Sequence, residues 1–254
     1  MRRRFARSLP SQWGACIMTS KLIQIPSRTD YVEEVYKVLV DAICEGSLAP
    51  GTRLTQEEIA EQLSVSRSPV LQALRLLKKD GLVHDAPGRG VVVAPLDLQW
   101  LSNLYEIRGT LDALAAKLAA NRHARLAPAL ITRGRQASLN ADIKAMVDAD
   151  MEFHFAVYAA SGNPLIAETA RVHWAHLRRV MGATLQASGQ RASIWDEHEA
   201  IAEAIEAGRA EAAVEYSDFH TQRAHAHLVA ELTAVLGGDG DGRAVEEPVK
   251  ALHV

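Results

Sequence analysis

Four side chains in the C-terminal part of the chain are of the types that bind divalent metals. Asp150 and His154 are four residues apart, so on a helix they lie on one face. His198 and His220 follow at greater distances along the chain. Three imidazoles and one carboxylate form a ligand set that suits Zn, Ni or Mn and leaves coordination positions open. The sequence therefore predicts a divalent-metal site at Asp150, His154, His198 and His220.

The spacing of apolar residues predicts that all four side chains point inward. Helical spacing aligns Asp150 and His154 with the apolar stripe of their own segment, and it aligns His198 and His220 with the stripes of two others. A single histidine on such a stripe is more often a core residue with an ordinary hydrogen-bond partner. Each of four buried polar side chains needs a partner, and one cation bound between them serves as the partner of all four.

Arg108 is the candidate residue for binding an effector. It lies on the core-facing side of a predicted helix, where an arginine must meet an anion. A carboxylate that accepts two hydrogen bonds is the natural partner of a guanidinium. An internal salt bridge to Glu106, Asp112 or Asp150 is the alternative, and the sequence leaves both open.

The N-terminal third has the pattern of a winged helix-turn-helix. Apolar residues recur every four positions across residues 31–43, which predicts an amphipathic first helix. Thr55 is a good N-cap for a short second helix over residues 56–63. Ser68 and Pro69 predict the start of a third helix, as its N-cap and first helical residue. Two short β segments around a glycine-rich turn then complete the module.

The third helix and the tip of the hairpin supply the candidate DNA contacts. In such modules the third helix enters the major groove, with its first residues facing base edges. The predicted base contacts come from Ser66, Arg67, Ser68 and Gln72, since arginine suits guanine and glutamine suits adenine. Arg89, at the hairpin tip, is predicted to reach phosphates or a narrow minor groove. A winged helix used for protein contacts is the alternative, because a fold alone does not fix function.

The composition of the whole chain favours helices and gives no bulk signal for nucleic acid. Of 254 residues, 48% are hydrophobic and only 5% aromatic, with many Ala and Leu. The formal net charge is −3, so any positive charge that meets DNA must be local. Two cysteines form no disulfide framework, which fits a reducing cytoplasm, and no apolar run is long enough to span a bilayer.

These patterns predict a mostly α chain, with an N-terminal winged helix-turn-helix domain followed by an antiparallel α-helical bundle as ligand domain. The DNA-binding domain is expected at 29–95 and the metal- and effector-binding domain at 96–236. The bundle helices are expected at about 98–122, 141–161, 164–188, 193–207 and 210–236. Residues 1–28 are expected to be a disordered or mis-assigned extension, with translation starting at Met1 or Met18. Residues 237–254 are expected to be a disordered tail.

Two sets of motifs resemble a known family. The run from Thr55 to Val70, with Ala73-Leu74 and Asp80–Val83, resembles the N-terminal domain of GntR-family transcriptional regulators. The segments Leu104–Asp112, Asp150–His154, Ser161–Pro164 and Glu197-His198 resemble the all-helical ligand domain of its FadR subfamily, also called the FCD domain. The resemblance covers roughly residues 31–236. In regulators that this chain resembles, the effector is often a small carboxylate or sugar acid held by a metal and an arginine.

The chain departs from the family pattern at its DNA-reading positions. Members usually carry an arginine and a glutamate at the positions of Leu71 and Gln72, and many have an arginine near Gln56 and Glu57. In the family those arginines read bases or bind phosphates. Their absence predicts a weaker affinity or a different operator.

The combined reading is a cytoplasmic, homodimeric regulator, expected to be a repressor and not an enzyme. Two recognition helices that read successive major grooves require two-fold symmetry and a pseudo-palindromic operator on double-stranded DNA. An organic acid that completes the metal's coordination sphere and pairs with Arg108 would change the operator affinity. One alternative is a metal-dependent hydrolase or lyase that uses the same side chains with Glu197 or Glu199 as general base. Another is a regulator in which the metal is purely structural.

Overall fold

The N-terminal module consists of three helices and three short strands. The structure is a computed structural model that describes residues 31–188 and 193–238. The elements of the module are α1 (Tyr31–Cys44), β1 (Arg53–Leu54), α2 (Gln56–Gln62), α3 (Arg67–Lys79), β2 (Val83–Asp85) and β3 (Val91–Val93). This confirms the winged helix-turn-helix, with α3 in the position of the recognition helix.

The sequence predicts the N-cap of α2 correctly but places the N-cap of α3 two residues too late. Thr55 caps α2 as expected, and its hydroxyl oxygen accepts a hydrogen bond from the Glu58 backbone N–H at 3.3 Å. The predicted N-cap of α3 at Ser68 is wrong, because the helix begins at Arg67 and Ser66 is the cap. The Ser66 side chain makes no capping hydrogen bond, so the side-chain signal that would mark the start of α3 is missing.

The wing is a three-stranded antiparallel sheet in the order β1-β3-β2. Val92 in β3 pairs with Arg53 in β1 and with His84 in β2. The sequence predicted only the β2–β3 hairpin, since β1 is two residues long and carries no period-two pattern. Gly90 has a φ of +92°, and a Cβ there would lie 2.4 Å from the Leu54 carbonyl oxygen. Only glycine therefore allows β1 to approach the turn so closely.

Over the described residues from 98 onward, the C-terminal bundle contains six helices. They are α4 (Leu98–Ala120), α5 (Ala129–Leu139), α6 (Ile143–Ser161), α7 (Pro164–Ser188), α8 (Ile194–Glu206) and α9 (Ala210–Gly238). The sequence did not predict α5, which is polar on much of its surface and has no side-chain cap. Its Gly134 lies directly against the Trp195 ring of α8, which a Cβ would meet at about 2 Å. The helix is thus held by close packing, for which the sequence gives no periodic signal.

Helices α4, α6, α8 and α9 form the part of the bundle that surrounds the candidate metal ligands. Helix α4 packs along α9 and α6, and α8 packs along α9. The core between them is aliphatic and aromatic, and its largest fully buried side chains include Trp195, Tyr158 and Phe153. Within this core α6 contributes Asp150 and His154, while α8 and α9 contribute one histidine each.

Helix α7 joins the bundle to the winged helix-turn-helix module, because α1 packs against it. The Cys44 thiol of α1 donates to the Ala175 carbonyl of α7 at 3.4 Å, and Arg178 binds Asp41 at 3.0 Å. Gly182 lies against the Cys44 carbonyl oxygen, which a Cβ would meet at 2.3 Å. The two parts of the chain are therefore in direct contact along α7.

The expected extension at 1–28 lies outside the described residues, and so does the expected tail from 239 onward. The last two described residues, 237 and 238, continue α9. Within 31–188 and 193–238, no helix combines the length and apolar character that crossing a bilayer requires.

Candidate metal centre and nucleic-acid interface

The four predicted metal ligands meet in the core of the bundle. One ligand atom from each of Asp150, His154, His198 and His220 lies within 4.8 Å of the other three, and all four residues are buried. The Nε2 atom of His198 lies 3.3 Å from the Nε2 of His220 and 3.5 Å from the Oδ1 of Asp150. The Nε2 of His154 lies 4.0 Å from the same Asp150 oxygen. The structure therefore brings the four residues together in the core, with their side chains inward.

Glu197 orients His220 towards the cluster. Its Oε2 lies 2.9 Å from the Nδ1 of His220, so the ring donates its Nδ1 proton to the carboxylate and turns the Nε2 lone pair to the centre. Arg223 binds the other oxygen of Glu197 at 2.8 Å and holds the carboxylate in place. A carboxylate behind the far nitrogen of a histidine is the usual support of a metal-binding imidazole.

His154 has the same orientation through a second carboxylate. Its Nδ1 faces the Oδ2 of Asp112 at 3.5 Å, and its Nε2 lies 2.7 Å from a terminal nitrogen of Arg108. A guanidinium donates and does not accept, so the Nε2 of His154 is the acceptor and its proton is on Nδ1. Asp112 also accepts hydrogen bonds from Arg108 at 3.2 Å and from the Tyr158 hydroxyl.

Electrostatics around the cluster favour a neutral His220 and an ionised Asp112. Burial lowers the pKa of His220, against the opposing effect of Glu197, so its imidazole is neutral as a metal ligand must be. Burial opposes ionisation of Asp112, but the adjacent His154 and Arg108 outweigh it and hold the pKa of that carboxyl well below its usual range. Burial and the Asp112 charge together raise the pKa of Tyr158 well above its usual value. The site therefore has a neutral nitrogen donor at His220 and a negative charge at Asp112.

The donor set fits a single divalent cation after two local changes, a small contraction and a movement of Arg108. Zinc binds histidine nitrogen at about 2.0–2.1 Å, so donors around one ion lie roughly 3–4 Å apart. The measured separations of 3.3, 3.5 and 4.0 Å are in that range, and the widest, up to 4.8 Å, needs a small contraction. The lone pair of His154 accepts from Arg108 here, so Arg108 must release it before His154 can bind a metal.

A small pocket opens beside the cluster. It has a volume of about 40 Å³, and Asp150, His220 and Arg108 reach its wall. The rest of the lining is mostly apolar, as follows: Tyr105, Met146, Met181, Leu185, Ile194, Ala224, His227 and Leu228. This volume corresponds to a few water-sized positions, since one water occupies about 10–15 Å³ on the same measure. A ligand in this pocket contacts the cluster and Arg108 together.

The two expectations for Arg108 are both represented in its surroundings. The internal salt bridge exists, because Arg108 binds Asp112 at 3.2 Å and lies 3.9 Å from Asp150. Its guanidinium also lies over the Trp174 ring, 4.9 Å from the centroid, and one nitrogen donates to the Tyr105 hydroxyl at 3.1 Å. The same side chain forms part of the pocket wall. Glu106, the third partner considered from sequence, is exposed on the other side of α4.

The predicted DNA contacts all lie on the surface of the winged helix. Ser66, Arg67, Ser68 and Gln72 are exposed at and near the start of α3, and Arg89 is exposed at the hairpin tip. The structure thus brings the first four together and places Arg89 on the wing.

Exposed arginines on α3, on β1 and at the hairpin tip have surroundings that bear on DNA binding. Arg67 forms an exposed ion pair with Glu57 of α2 at 2.9 Å, which neutralises part of its charge. Arg75 is exposed one turn after Gln72 on α3, and Arg53 of β1 binds the Arg89 carbonyl at 2.5 Å. The sequence interpretation missed Arg75 and Arg53, although the helical spacing of Arg75 from Gln72 was a usable signal.

Comparison with known proteins identifies both parts of the chain. Residues 31–93 match the bacterial regulatory proteins of the gntR family, and residues 103–235 match the FCD domain. The chain belongs to the GntR family. As a GntR regulator with an FCD domain it is a DNA-binding transcriptional regulator, and its buried Asp and His cluster lies within the FCD match.

Individual relatives support the same assignment. The chain is 32% identical over 207 residues to the transcriptional regulator LutR of Bacillus subtilis, which covers 68% of this chain and 90% of LutR. It is 36% identical over 90 residues to the uncharacterised regulator YdhC of the same organism, covering 35% of this chain but only 40% of YdhC. The structure of Escherichia coli McbR/YncC has the same fold, with a TM-score of 0.70 at 22% identity, over 81% of this chain and all of that one. These relatives are named as regulators, which confirms the expectation that the chain is not an enzyme.

Proposed function

We propose that this GntR regulator binds a divalent metal at Asp150, His154, His198 and His220 and responds to a small organic acid in the adjacent pocket. The observation that supports it most is the orientation of the imidazoles. Separate carboxylates, Glu197 and Asp112, lie behind the Nδ1 atoms of His220 and His154, which leaves the Nε2 atom of each ring as the acceptor. Partners on the nitrogens that face away from the metal are typical of metal-binding histidines. Burying such carboxylates costs free energy, which a purely apolar core would not incur.

The bound metal supplies a Lewis acid with open coordination positions, to which a carboxylate oxygen can bind. The ligand set suits Zn, Ni or Mn, and Mn is expected to bind most weakly of the three because it prefers oxygen ligands. Arg108 holds the second carboxylate oxygen through the terminal guanidinium nitrogen that now faces His154 and Asp150. The pocket volume of about 40 Å³ favours a small carboxylate over a sugar acid.

Helix α7 is the element that we propose carries the response to the DNA-reading module. Trp174 of α7 lies over Arg108, 4.9 Å from its guanidinium carbon. The next residues of the same helix, Ala175 and Arg178, contact Cys44 and Asp41 of α1. A ligand that moves Arg108 therefore changes the packing of a helix that also holds α1. The ligand can change the free energy of DNA binding only by as much as its own binding free energy differs between the two arrangements of α7 and α1.

The protein is proposed to act as a homodimer on a pseudo-palindromic operator, with residues 29–95 reading DNA and 96–236 binding the metal and effector. Two-fold symmetry follows from the geometry of a recognition helix that must reach two successive major grooves. Repression relieved by the effector is the proposed sign, with the protein acting in the cytoplasm.

The function is tested first by finding the operator. Purified protein, loaded with one metal at a time, is used to capture sheared genomic DNA at stated salt, and the retained DNA is sequenced. A single enriched pseudo-palindrome supports the proposal, and the genes beside it indicate which acids to test. No enrichment with any metal, in the presence or absence of a carboxylate panel, contradicts it.

The variant Arg108→Gln then distinguishes a metal that takes part in effector binding from a metal that is purely structural. Operator affinity is measured with and without the active acid for the wild type and for Arg108→Gln, with exposed Glu106→Gln as the control on the same helix. We expect the response to the acid to disappear only in Arg108→Gln, while the metal remains bound. An unchanged response in Arg108→Gln favours the purely structural metal and a different effector site.

A further inference from the structure

Arg179 of α7 is a buried cation without an acidic partner among the described residues. Only 5% of its surface is exposed. Its one hydrogen bond is donated to the Ala94 carbonyl, and its Nε has no partner. Burial lowers the pKa of the Arg179 guanidinium, and no carboxylate offsets that burial. An arginine remains charged at neutral pH, so this charge is uncompensated in the interior, which is costly unless an anion binds there.

Arg179 lies in the wall of a second and larger cavity, between the winged helix and the bundle. Its volume is about 440 Å³, within the usual range of small-molecule sites, which often lie at domain boundaries. One side is formed by the end of α3 and the linker to α4, and the other by α7. Lys79 and three histidines, His84, His173 and His176, add further hydrogen-bond donors to the wall.

Two carboxylates also reach this cavity, and both already have partners. Asp80 accepts a hydrogen bond from the Tyr36 hydroxyl at 2.7 Å, and Asp97 accepts from the Trp100 backbone N–H at 3.0 Å as the cap of α4. Neither binds Arg179. The charge of Arg179 is therefore available to a molecule that enters the cavity.

The remaining wall suits a flat apolar group. The Trp100 ring lies against the His176 ring, with centroids 4.1 Å apart, and the two offer an aromatic surface. Leu96, Val172 and Val180 continue the apolar lining. This combination of one buried guanidinium and a flat apolar wall differs from the pocket at the metal cluster, with which the cavity shares no lining residue.

We propose that this cavity is a second ligand site, which binds an organic acid through Arg179 and packs the acid's flat apolar body on Trp100. The carboxylate accepts from the guanidinium and neutralises its charge. A ligand there contacts Lys79 at the end of the recognition helix and Arg179 on α7 together. It therefore joins the DNA-reading module to the bundle, independently of the metal cluster.

The site is tested by calorimetric titration of the full-length, metal-loaded protein with benzoate, and with benzamide as the uncharged analogue of the same shape. We expect benzoate to bind the wild type and benzamide not to bind. Arg179→Met should weaken this binding by about tenfold to a hundredfold, the range for loss of a charged hydrogen bond. Exposed Arg171→Met, on the same helix, should leave it unchanged.

Arg108→Gln separates this site from the effector pocket of the proposed function. Benzoate binding that survives in Arg108→Gln and is lost in Arg179→Met supports the second site, whether or not the metal pocket also binds acids. Benzoate binding that Arg179→Met leaves intact, or that Arg108→Gln alone removes, overturns it. Should Arg179→Met fail to fold, 4-bromobenzoate soaked into wild-type crystals gives the answer. A bromine anomalous peak beside Trp100 and Arg179 supports the site, and its absence from this cavity contradicts it.

Discussion

The Nδ1 of His220 lies 2.9 Å from the Oε2 of Glu197, and this contact points the other ring nitrogen at Asp150 and His198. The sequence places Glu197 directly before a candidate ligand, His198, yet the structure shows that it supports a different one. A buried carboxylate that is also bound by Arg223 is available to orient a ring but not to accept a substrate proton. The geometry therefore argues against the earlier alternative of Glu197 as a general base.

Replacing Glu197 tests this supporting role directly. Glu197→Gln removes the negative charge behind His220, and we expect metal affinity to fall by about 10–100-fold, the usual effect of losing such a partner. Competition with a chromophoric chelator measures the change. Glu199→Gln is the control, since Glu199 is exposed on the same helix and binds Arg135. Equal affinities in the two variants would show that Glu197 does not act through the metal site.

Asp112→Asn is expected to destabilise the folded chain. Asp112 balances the buried charge of Arg108 at 3.2 Å, and breaking a buried ion pair costs about 3–5 kcal/mol. In a chain of this size that corresponds to a Tm lower by roughly 10 °C, at 2–4 °C per kcal/mol. Scanning calorimetry of the metal-free protein measures it. A Tm within about 2 °C of the wild type, like that of exposed Glu106→Gln, would mean that Asp112 contributes little to stability.

Stability at mildly acidic pH is expected to depend on His176. Burial keeps the pKa of His176 below its ordinary value in the folded chain, although its Nε2 binds the Asp80 carbonyl at 2.6 Å. The unfolded chain, with a pKa of about 6.5 at this residue, then binds the proton first, so stability falls as the pH drops below about 6.5. His176→Asn should therefore lose less stability than the wild type between about pH 7.5 and pH 5.5 in urea unfolding. The slope of exposed His84→Asn is the reference.

The two candidate DNA-reading arginines should respond differently to removal. Arg67→Ala is expected to cost about 1–3 kcal/mol on the operator and much less on random DNA, as for a base-reading side chain. Arg89→Ala should weaken binding to both kinds of DNA and lower the slope of log affinity against log salt by about 0.9. Fluorescence anisotropy at several salt concentrations measures both. An equal loss of affinity for operator and random DNA in Arg67→Ala would show that Arg67 contacts phosphates instead.

Glu57 is expected to restrain Arg67. Their ion pair at 2.9 Å is exposed beside the start of α3, where the Glu57 carboxylate would also repel phosphates. Glu57→Gln should therefore raise affinity for DNA of any sequence, by up to about tenfold at low salt, with a smaller gain at high salt. No change at low salt would show that this ion pair lies away from the DNA.

The sequence predicted those parts of the molecule that leave a local pattern. Helical spacing was enough to place Asp150 and His154 on one inward face, and a capping residue at Thr55 marked the start of α2. Helix α5 and strand β1 were not predicted, because their positions depend on contacts between residues far apart in the chain, such as Gly134 against Trp195. The supporting role of Glu197 also depends on packing, since only the crossing of α8 and α9 brings it to His220.

Metal content tests the central claim most directly. Wild-type protein and the double variant His198→Ala, His220→Ala are loaded with Zn, Ni or Mn, dialysed against a weak chelator and analysed by elemental mass spectrometry. His173→Ala with His227→Ala, two histidines that are not among the four clustered ligands, is the matched control. We predict one metal per chain in the wild type and the control, and none in the cluster variant, with circular dichroism showing that all three are folded. One metal per chain in the folded cluster variant, or none in the wild type, would contradict it.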